Sequence, residues 1–243
     1  MVNSLNAISH SYTIQPIITM NGDLLPKMLI CLQELNGEFG PRVSNELPNY
    51  PNIIIKCSKS GKLTKDLVIE FNQEIIKPLF NHEFIYIADS WNGQTDQEIY
   101  SNIFDGKCKF ITIPPHCTSL IQPLDVYFFR FWKLFVKRMY NENILYAWNV
   151  DLKQRNNIIK IHALIHNQFS SPIFRGMILY SWFKSGYILD KPVEFKDLMQ
   201  VCFDDALLFC QEIDCTTHVF VKCSHCGKTL CFSHFFINSH FHF

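Results

Sequence analysis

The sequence predicts an α/β protein, a mixed sheet with flanking helices that ends in a small cysteine- and histidine-rich tail. Three observations carry this. Short β-rich runs fill the first half and are interrupted by a helical stretch. The second half reads as amphipathic helices, with apolar residues three and four apart. Five of the ten cysteines and five of the ten histidines lie after residue 209. With 48% hydrophobic residues and 22 phenylalanines in 243 residues, the chain can fill a real core, as one large domain or one domain plus a small one.

The elements follow in order. SYTIQPIITM and LLPKMLICL are β-rich runs around Asn21-Gly22, a pair that tolerates positive φ, so they predict a hairpin. Pro16 and Pro26 mark edges or bulges within it. NIIIKC (52–57) predicts a short buried strand. Thr64 caps a helix running to about Ile76, with Leu67, Phe71 and Ile75 on one face. EFIYIAD (83–89) predicts a second buried strand, ending at Asp89, and CKFITIP (108–114) a third. From 124 to 139, Leu124, Phe128, Phe131, Trp132, Phe135 and Met139 share one helical face, which marks them as core. Arg130, Lys133 and Lys137 share the opposite face. RNNIIKIHALIHNQF (155–169) is a further helix. Another starts at Ser171-Pro172 and ends at Gly186. YILDKPVEFKD (187–197) reads as the linker to the Cys/His-rich tail, and the chain divides into a core over 1–190, a linker over 191–209 and a Cys/His module over 210–243.

Lys plus Arg equals Asp plus Glu, 22 each, so no global basic field draws the chain to nucleic acid and any such attraction is local. No apolar run is long enough to cross a membrane, and the first residues lack the features of a secretory signal. A reducing compartment is therefore expected, where ten cysteines serve as metal ligands or buried thiols before disulfides.

Asp89 ends a strand, and Asp125 opens a helix after the next strand. Carboxylates at adjacent element ends of an α/β sheet can converge on a divalent metal, and magnesium takes one or two carboxylates plus substrate phosphates. Taken singly, an Asp at such a place more commonly serves a turn or a cap. The surrounding residues add to this. FIYIADSW followed by ITIPPHCTSLIQPLDVYFFRFWK resembles the catalytic core of DDE-superfamily transposases, in the pogo/Tigger branch of the Tc1/mariner group. The branch's Pro-Pro-x-x-Thr-Ser-x-x-Gln-Pro-Leu-Asp segment is matched by Pro114, Pro115, Thr118, Ser119, Gln122, Pro123, Leu124 and Asp125. The resemblance spans about residues 9 to 190, taking in the hairpin, SKSGKLT and RNNIIKIHALIHNQFSSP. It implies an RNase H-like fold, Asp89 and Asp125 as the second and third catalytic metal-binding acids, Mg2+ or Mn2+ as cofactor, DNA as partner and the nucleus as location.

The first acid of such a triad belongs to a strand that precedes the hairpin. Residues 1–11 contain no Asp or Glu, and Asp23 sits in the Asn21-Gly22 turn. The resemblance therefore implies an N-terminally incomplete transposase, its first strand missing and its activity weak or absent. A non-catalytic nuclear scaffold, binding nucleic acid or protein, is the alternative. His116, in the Pro-Pro loop, is a candidate phosphate donor near Asp125 or a solvated loop histidine. Arg130, Lys133 and Lys137 are candidate DNA-backbone contacts or simply a solvated face.

The tail, CQEIDCTTHVFVKCSHCGKTLCFSHFFINSHFHF (210–243), carries a separate signal. Cys223-x-x-Cys226 and Cys231-x-x-His234 have spacings that let one tight turn present two ligands to zinc. So short a segment would draw much of its folding free energy from metal. The order resembles a cross-brace finger of the B-box type, in which alternate ligand pairs share a metal. That resemblance groups Cys215, Cys231 and His234 around one zinc, completed by a residue near position 212. Glu212 stands there; Cys210 can move in, or the site is incomplete. Cys223, Cys226, His240 and His242 form the other site, with His218 and His225 as spare candidates. Such a tail is structural and offers a surface for protein or DNA. The remaining cysteines, Cys31, Cys57, Cys108, Cys117 and Cys202, read as packing residues.

Overall fold

A computed structural model describes residues 11–91, 93–203 and 209–243, which form a mixed α/β protein of two compact units. One unit holds the chain up to Gln15 together with Lys27–Gln122, and the other holds Pro16–Pro26 with Pro123–Phe243. The first ten residues lie outside the described part.

In the first unit the hairpin run stops where its prolines stand. β1 (Tyr12–Gln15) ends before Pro16 and β2 (Met28–Gln33) begins after Pro26, because an imide nitrogen gives no hydrogen to a ladder. β1 pairs antiparallel with β2, and β3 (Ile53–Ser58) pairs parallel with β2 on its other side. β2 is thus central, and residues 28–32 are all buried. Flanked on one edge only, β3 keeps Ile53 buried but leaves Ile54 and Ile55 half-buried. A short helix, α1 (Pro41–Glu46), lies between β2 and β3.

α2 (Lys65–Phe71) starts where the sequence places it. The Thr64 hydroxyl accepts a hydrogen bond from the Leu67 amide at 3.3 Å. The helix widens into a π-helical turn over Asn72–Ile76. Its buried stripe is Val68, Phe71, Ile75 and Ile76, so Leu67 lies at the margin rather than at the centre.

β4 (Phe84–Ala88) and β5 (Cys108–Thr112) form a separate parallel pair. Both were expected to be buried, yet Ile85 is 60% exposed and Ile111 39%. Only one face is covered. There Tyr100 of α3 (Gln97–Ile103) stacks on Phe110 with centroids 3.8 Å apart and meets Tyr86 edge-on. The other face carries Ile85, Lys109 and Ile111. Lys109, inside an otherwise apolar run, is the sign of that open face. After β5 comes the short α4 (Thr118–Ile121).

The second unit is helical. A π-helical turn over Leu124–Phe128 continues into α5 (Phe129–Leu145). Phe128, Phe131, Trp132, Phe135 and Met139 are each at most 1% exposed, as the spacing predicts, while Arg130, Lys133 and Lys137 are exposed. α6 (Arg155–Phe169) packs on α5, with Trp132 stacked on Phe169 at 5.6 Å. A 3-10 turn at Pro172–Phe174 leads into α7 (Arg175–Lys184), which Gly186 ends at φ 82°. α8 (Leu198–Cys202) is held by a capping box between Asp197 and Gln200.

Every residue of α6 from 161 to 169 is buried, including His162, His166, Asn167 and Gln168. Buried polar groups need partners. His162 accepts from the Trp132 indole at 3.0 Å, and His166 Nε2 donates to the Leu25 carbonyl at 3.0 Å. Burial lowers the His162 imidazole to about 3 and the His166 imidazole to about 4, so both stay neutral at pH 7. Asn167 and Gln168 find their partners in the tail. Among the described residues, no helix is long and apolar enough to cross a membrane.

Candidate functional site

Asp89 follows β4 directly. Its carboxylate accepts from the Trp91 amide at 3.2 Å and from the Gln94 side chain. This is turn chemistry, and it fixes the carboxylate just beyond the strand. Asp125 is exposed in the first turn of the stretch opened by Pro123. Pro at that place fits, since a first-turn residue has no helical use for an N–H. Asp89 belongs to the first unit and Asp125 to the second. The two offer hard oxygen donors, which suit magnesium or manganese.

Between them runs the Pro-Pro loop. The Cys117 amide bonds to the Pro114 carbonyl at 3.1 Å, closing a turn in which His116 is exposed at φ 66°. A non-glycine residue there is strained on the order of 1 kcal/mol. The Oε1 of Gln122 is buried with no hydrogen-bond partner. Asp23 takes a turn role: its amide bonds to the Thr19 hydroxyl at 3.2 Å.

On α5, Lys133 and Lys137 extend from the exposed face. Arg130 is more constrained, because its guanidinium lies 5.2 Å from the Tyr127 ring centroid and 4.7 Å from that of Phe131.

The tail builds two side-chain quartets. Cys210, Cys215, Cys231 and His234 form one; Cys223, Cys226, His240 and His242 form the other. In each, the ligand atoms all lie within 4.8 Å of one another. In the first quartet the Cys210 and Cys231 sulfurs are each 3.3 Å from His234 Nδ1, and Cys215 is 4.0 Å from Cys231. In the second, Cys226 is 3.5 Å from His240 Nε2, and the two histidine Nε2 atoms are 2.9 Å apart. Tetrahedral zinc bonded at about 2.0–2.3 Å separates its ligands by roughly 3.3–3.8 Å, so both quartets are of the right size and donor type. The ligand pairs alternate along the chain, which is the cross-brace order. All ten cysteines are free thiols.

Cys210 takes the fourth place in the first quartet. Glu212 pairs instead with Lys228 at 3.2 Å. The spare histidines are used elsewhere. His218 bonds to Glu142 at 2.5 Å and stacks on Tyr146, while His225 bonds to the Asn167 carbonyl at 2.6 Å. Hydrogen bonds from Thr217 lower the Cys215 thiol to about 6, which favours the thiolate that a metal needs. Burial pushes Cys231 up to about 11, the cost of holding that sulfur without a cation.

Local structure explains the second quartet's geometry. β6 (Val221–Lys222) and β7 (Thr229–Leu230) form a hairpin whose loop is the Cys223–Cys226 knuckle. Gly227, at φ 75°, lets its amide reach back to the Cys223 carbonyl at 2.9 Å. Outside the ligands stand residues that sequence reasoning missed. Gln168 donates to Cys223 Sγ at 3.6 Å and accepts from the Ser224 amide at 2.8 Å. Asn167 bonds to both the amide and the carbonyl of His242, at 3.1 and 2.5 Å. The available signal was the polar run His166-Asn167-Gln168 inside an apolar helix.

The comparisons agree with this picture. Residues 18–171 match the DDE superfamily endonuclease family, and residues 182–243 match the Tc5 transposase C-terminal domain. No curated protein and no solved structure matches the chain. The first match takes in β2 through α6 with both Asp89 and Asp125, and covers well over half the chain. The second takes in all eight quartet residues. The chain therefore belongs to the DDE superfamily endonucleases, as a Tc1/mariner-like transposase.

Proposed function

We propose that the chain is a transposase-derived DDE domain with an RNase H-like fold that binds DNA in the nucleus. Its family reaction is metal-dependent phosphodiester cleavage and strand transfer. The observation that carries the reading is the family match across a segment that fixes Asp89 just past a strand and Asp125 at a helix start. On the family match, Asp89 and Asp125 are each a ligand proposed for Mg2+ or Mn2+. Such an ion, when bound, stabilises charge on the attacking and leaving oxygens of the phosphodiester. Arg130, Lys133, Lys137 and His116 would hold DNA phosphates, and zinc would fill both tail quartets.

A second reading is supported by the engagement of Asp89 with Trp91 and Gln94, which is sufficient as turn chemistry. On that reading the fold is a nuclear scaffold, and the zinc tail is its protein- or nucleic-acid-binding surface. Manganese-dependent nicking of plasmid DNA, beside an Asp89→Ala, Asp125→Ala double variant, separates the two. Nicking that the double variant loses is the expected result. Equal rates in both proteins would remove the nuclease reading and leave the scaffold.

A further inference from the structure

The second unit contains an open cleft of 760 Å³ that shares Arg130 with the residues assigned above. Small-ligand sites run from roughly 300 to 1,000 Å³. Tyr127 and Arg130 come from the stretch that opens at Asp125, and Tyr180 from α7. Lys191 and Phe195 come from the segment after Gly186, and Gln200 from α8.

The aromatic rings are half-buried and tilted against one another. Tyr127 and Tyr180 have centroids 4.7 Å apart at 66°, and Tyr180 and Phe195 are 5.2 Å apart at 45°. An edge-on contact covers a face of one ring, and the Arg130 guanidinium lies 5.2 Å from the Tyr127 centroid, so the half-buried Tyr180 and Phe195 are the rings best placed to meet a flat ligand. Arg130 and Lys191 are exposed cations; Glu194 also lines the cleft, and Asp197 lies close enough to act on Tyr127. The Gln200 oxygen accepts from the Asp197 amide at 2.9 Å, which commits that atom and leaves its NH2 to donate. Aromatic faces suit a base, and a guanidinium with an ammonium suits a phosphate. A base in an intact duplex cannot offer its face, whereas an unpaired one can.

We propose that this cleft binds one unpaired nucleotide of a DNA strand, its base among Tyr127, Tyr180 and Phe195 and its phosphate on Arg130 and Lys191. The proposal rests on the DNA reading above and names the part of the strand that reaches this cleft.

The full chain, loaded with zinc and free of manganese, is titrated with a labelled short oligothymidylate and, separately, with a blunt duplex. Lys191→Gln and Tyr180→Leu are each expected to weaken oligothymidylate binding about tenfold, with duplex binding within about twofold of native. Tyr180→Phe keeps the ring and is expected to bind as native. Lys191 is exposed, so its variant carries the test even if Tyr180→Leu does not fold. Equal losses on both DNAs, no loss on either, or preferential Lys191-dependent binding of an oligoglutamate peptide would overturn the proposal. The nicking assay reads the other claim independently. Tyr180-dependent oligothymidylate binding without acid-dependent nicking keeps the cleft and removes the nuclease. The reverse keeps the nuclease and removes the cleft.

Discussion

Gln168 shows how one side chain joins two parts of the second unit. Its oxygen takes the Ser224 amide and its NH2 points a hydrogen at Cys223, so a core helix orients a candidate ligand. Outer partners of this kind set ligand orientation and charge. Gln168→Leu is expected to weaken metal at the second quartet about 10- to 100-fold in a chelator competition and to leave the first quartet unchanged. Undiminished affinity would reduce Gln168 to packing. The buried histidines make a second claim. His166 titrates at about 4 in the fold against 6.5 in the open chain, so the unfolded state binds more protons in between. The stability from keeping His166 neutral is complete above about pH 6.5 and is lost as pH falls through 4, on the order of 3 kcal/mol in all. His166→Gln is expected to flatten the fall in urea midpoint between pH 7 and 4.5. An unchanged slope would place the acid sensitivity elsewhere.

α5 is the element that the sequence described best. Its apolar spacing named the buried residues, and its charges named the exposed face, because a long helix with one continuous buried face has little freedom to rearrange. Phe135 shows what that burial holds together, touching Phe203, Phe220 and Phe235. Phe135→Ala is expected to cost about 3–5 kcal/mol by chemical denaturation. Replacing Arg130, Lys133 and Lys137 by Gln, by contrast, is expected to leave stability nearly unchanged. It is expected to reduce the salt slope of duplex binding by about two to three. An unaltered slope would make the stripe a solvated face. Short elements were harder to read. β4 and β5 looked buried because apolar runs say nothing of how many faces are covered, and only Lys109 marked the open one. α4 and the widened turns at 72–76 and 124–128 left no mark in the sequence, since a π-turn shifts hydrogen bonds by one residue without requiring a residue type. The fourth member of the first quartet was open in the sequence for a similar reason. Spacing allowed Cys210 or the position of Glu212, and only the Lys228 ion pair took Glu212 out.

At the scale of the whole molecule, the chain joins an endonuclease segment to a tail whose cysteines and histidines would be costly to pack without a cation. Burial pushes the Cys231 thiol of the first quartet up, and the His240 and His242 nitrogens of the second lie 2.9 Å apart; a cation in each quartet would stabilise both arrangements. The tail is also part of the second unit's core, since Phe220, Phe232 and Phe235 are buried and Phe220 and Phe235 meet Phe135 of α5. Removing metal should therefore loosen α6 as well as the tail, with faster amide exchange at residues 161–169. The measurement that tests this most directly is zinc content by mass spectrometry of the native full chain, beside Cys231→Ser and Cys226→Ser. Two quartets predict two zinc ions per chain in the native protein and one in each variant. A native chain that folds with no bound zinc would contradict the metal-built tail, and a single ion lost in both variants would contradict the division into two sites.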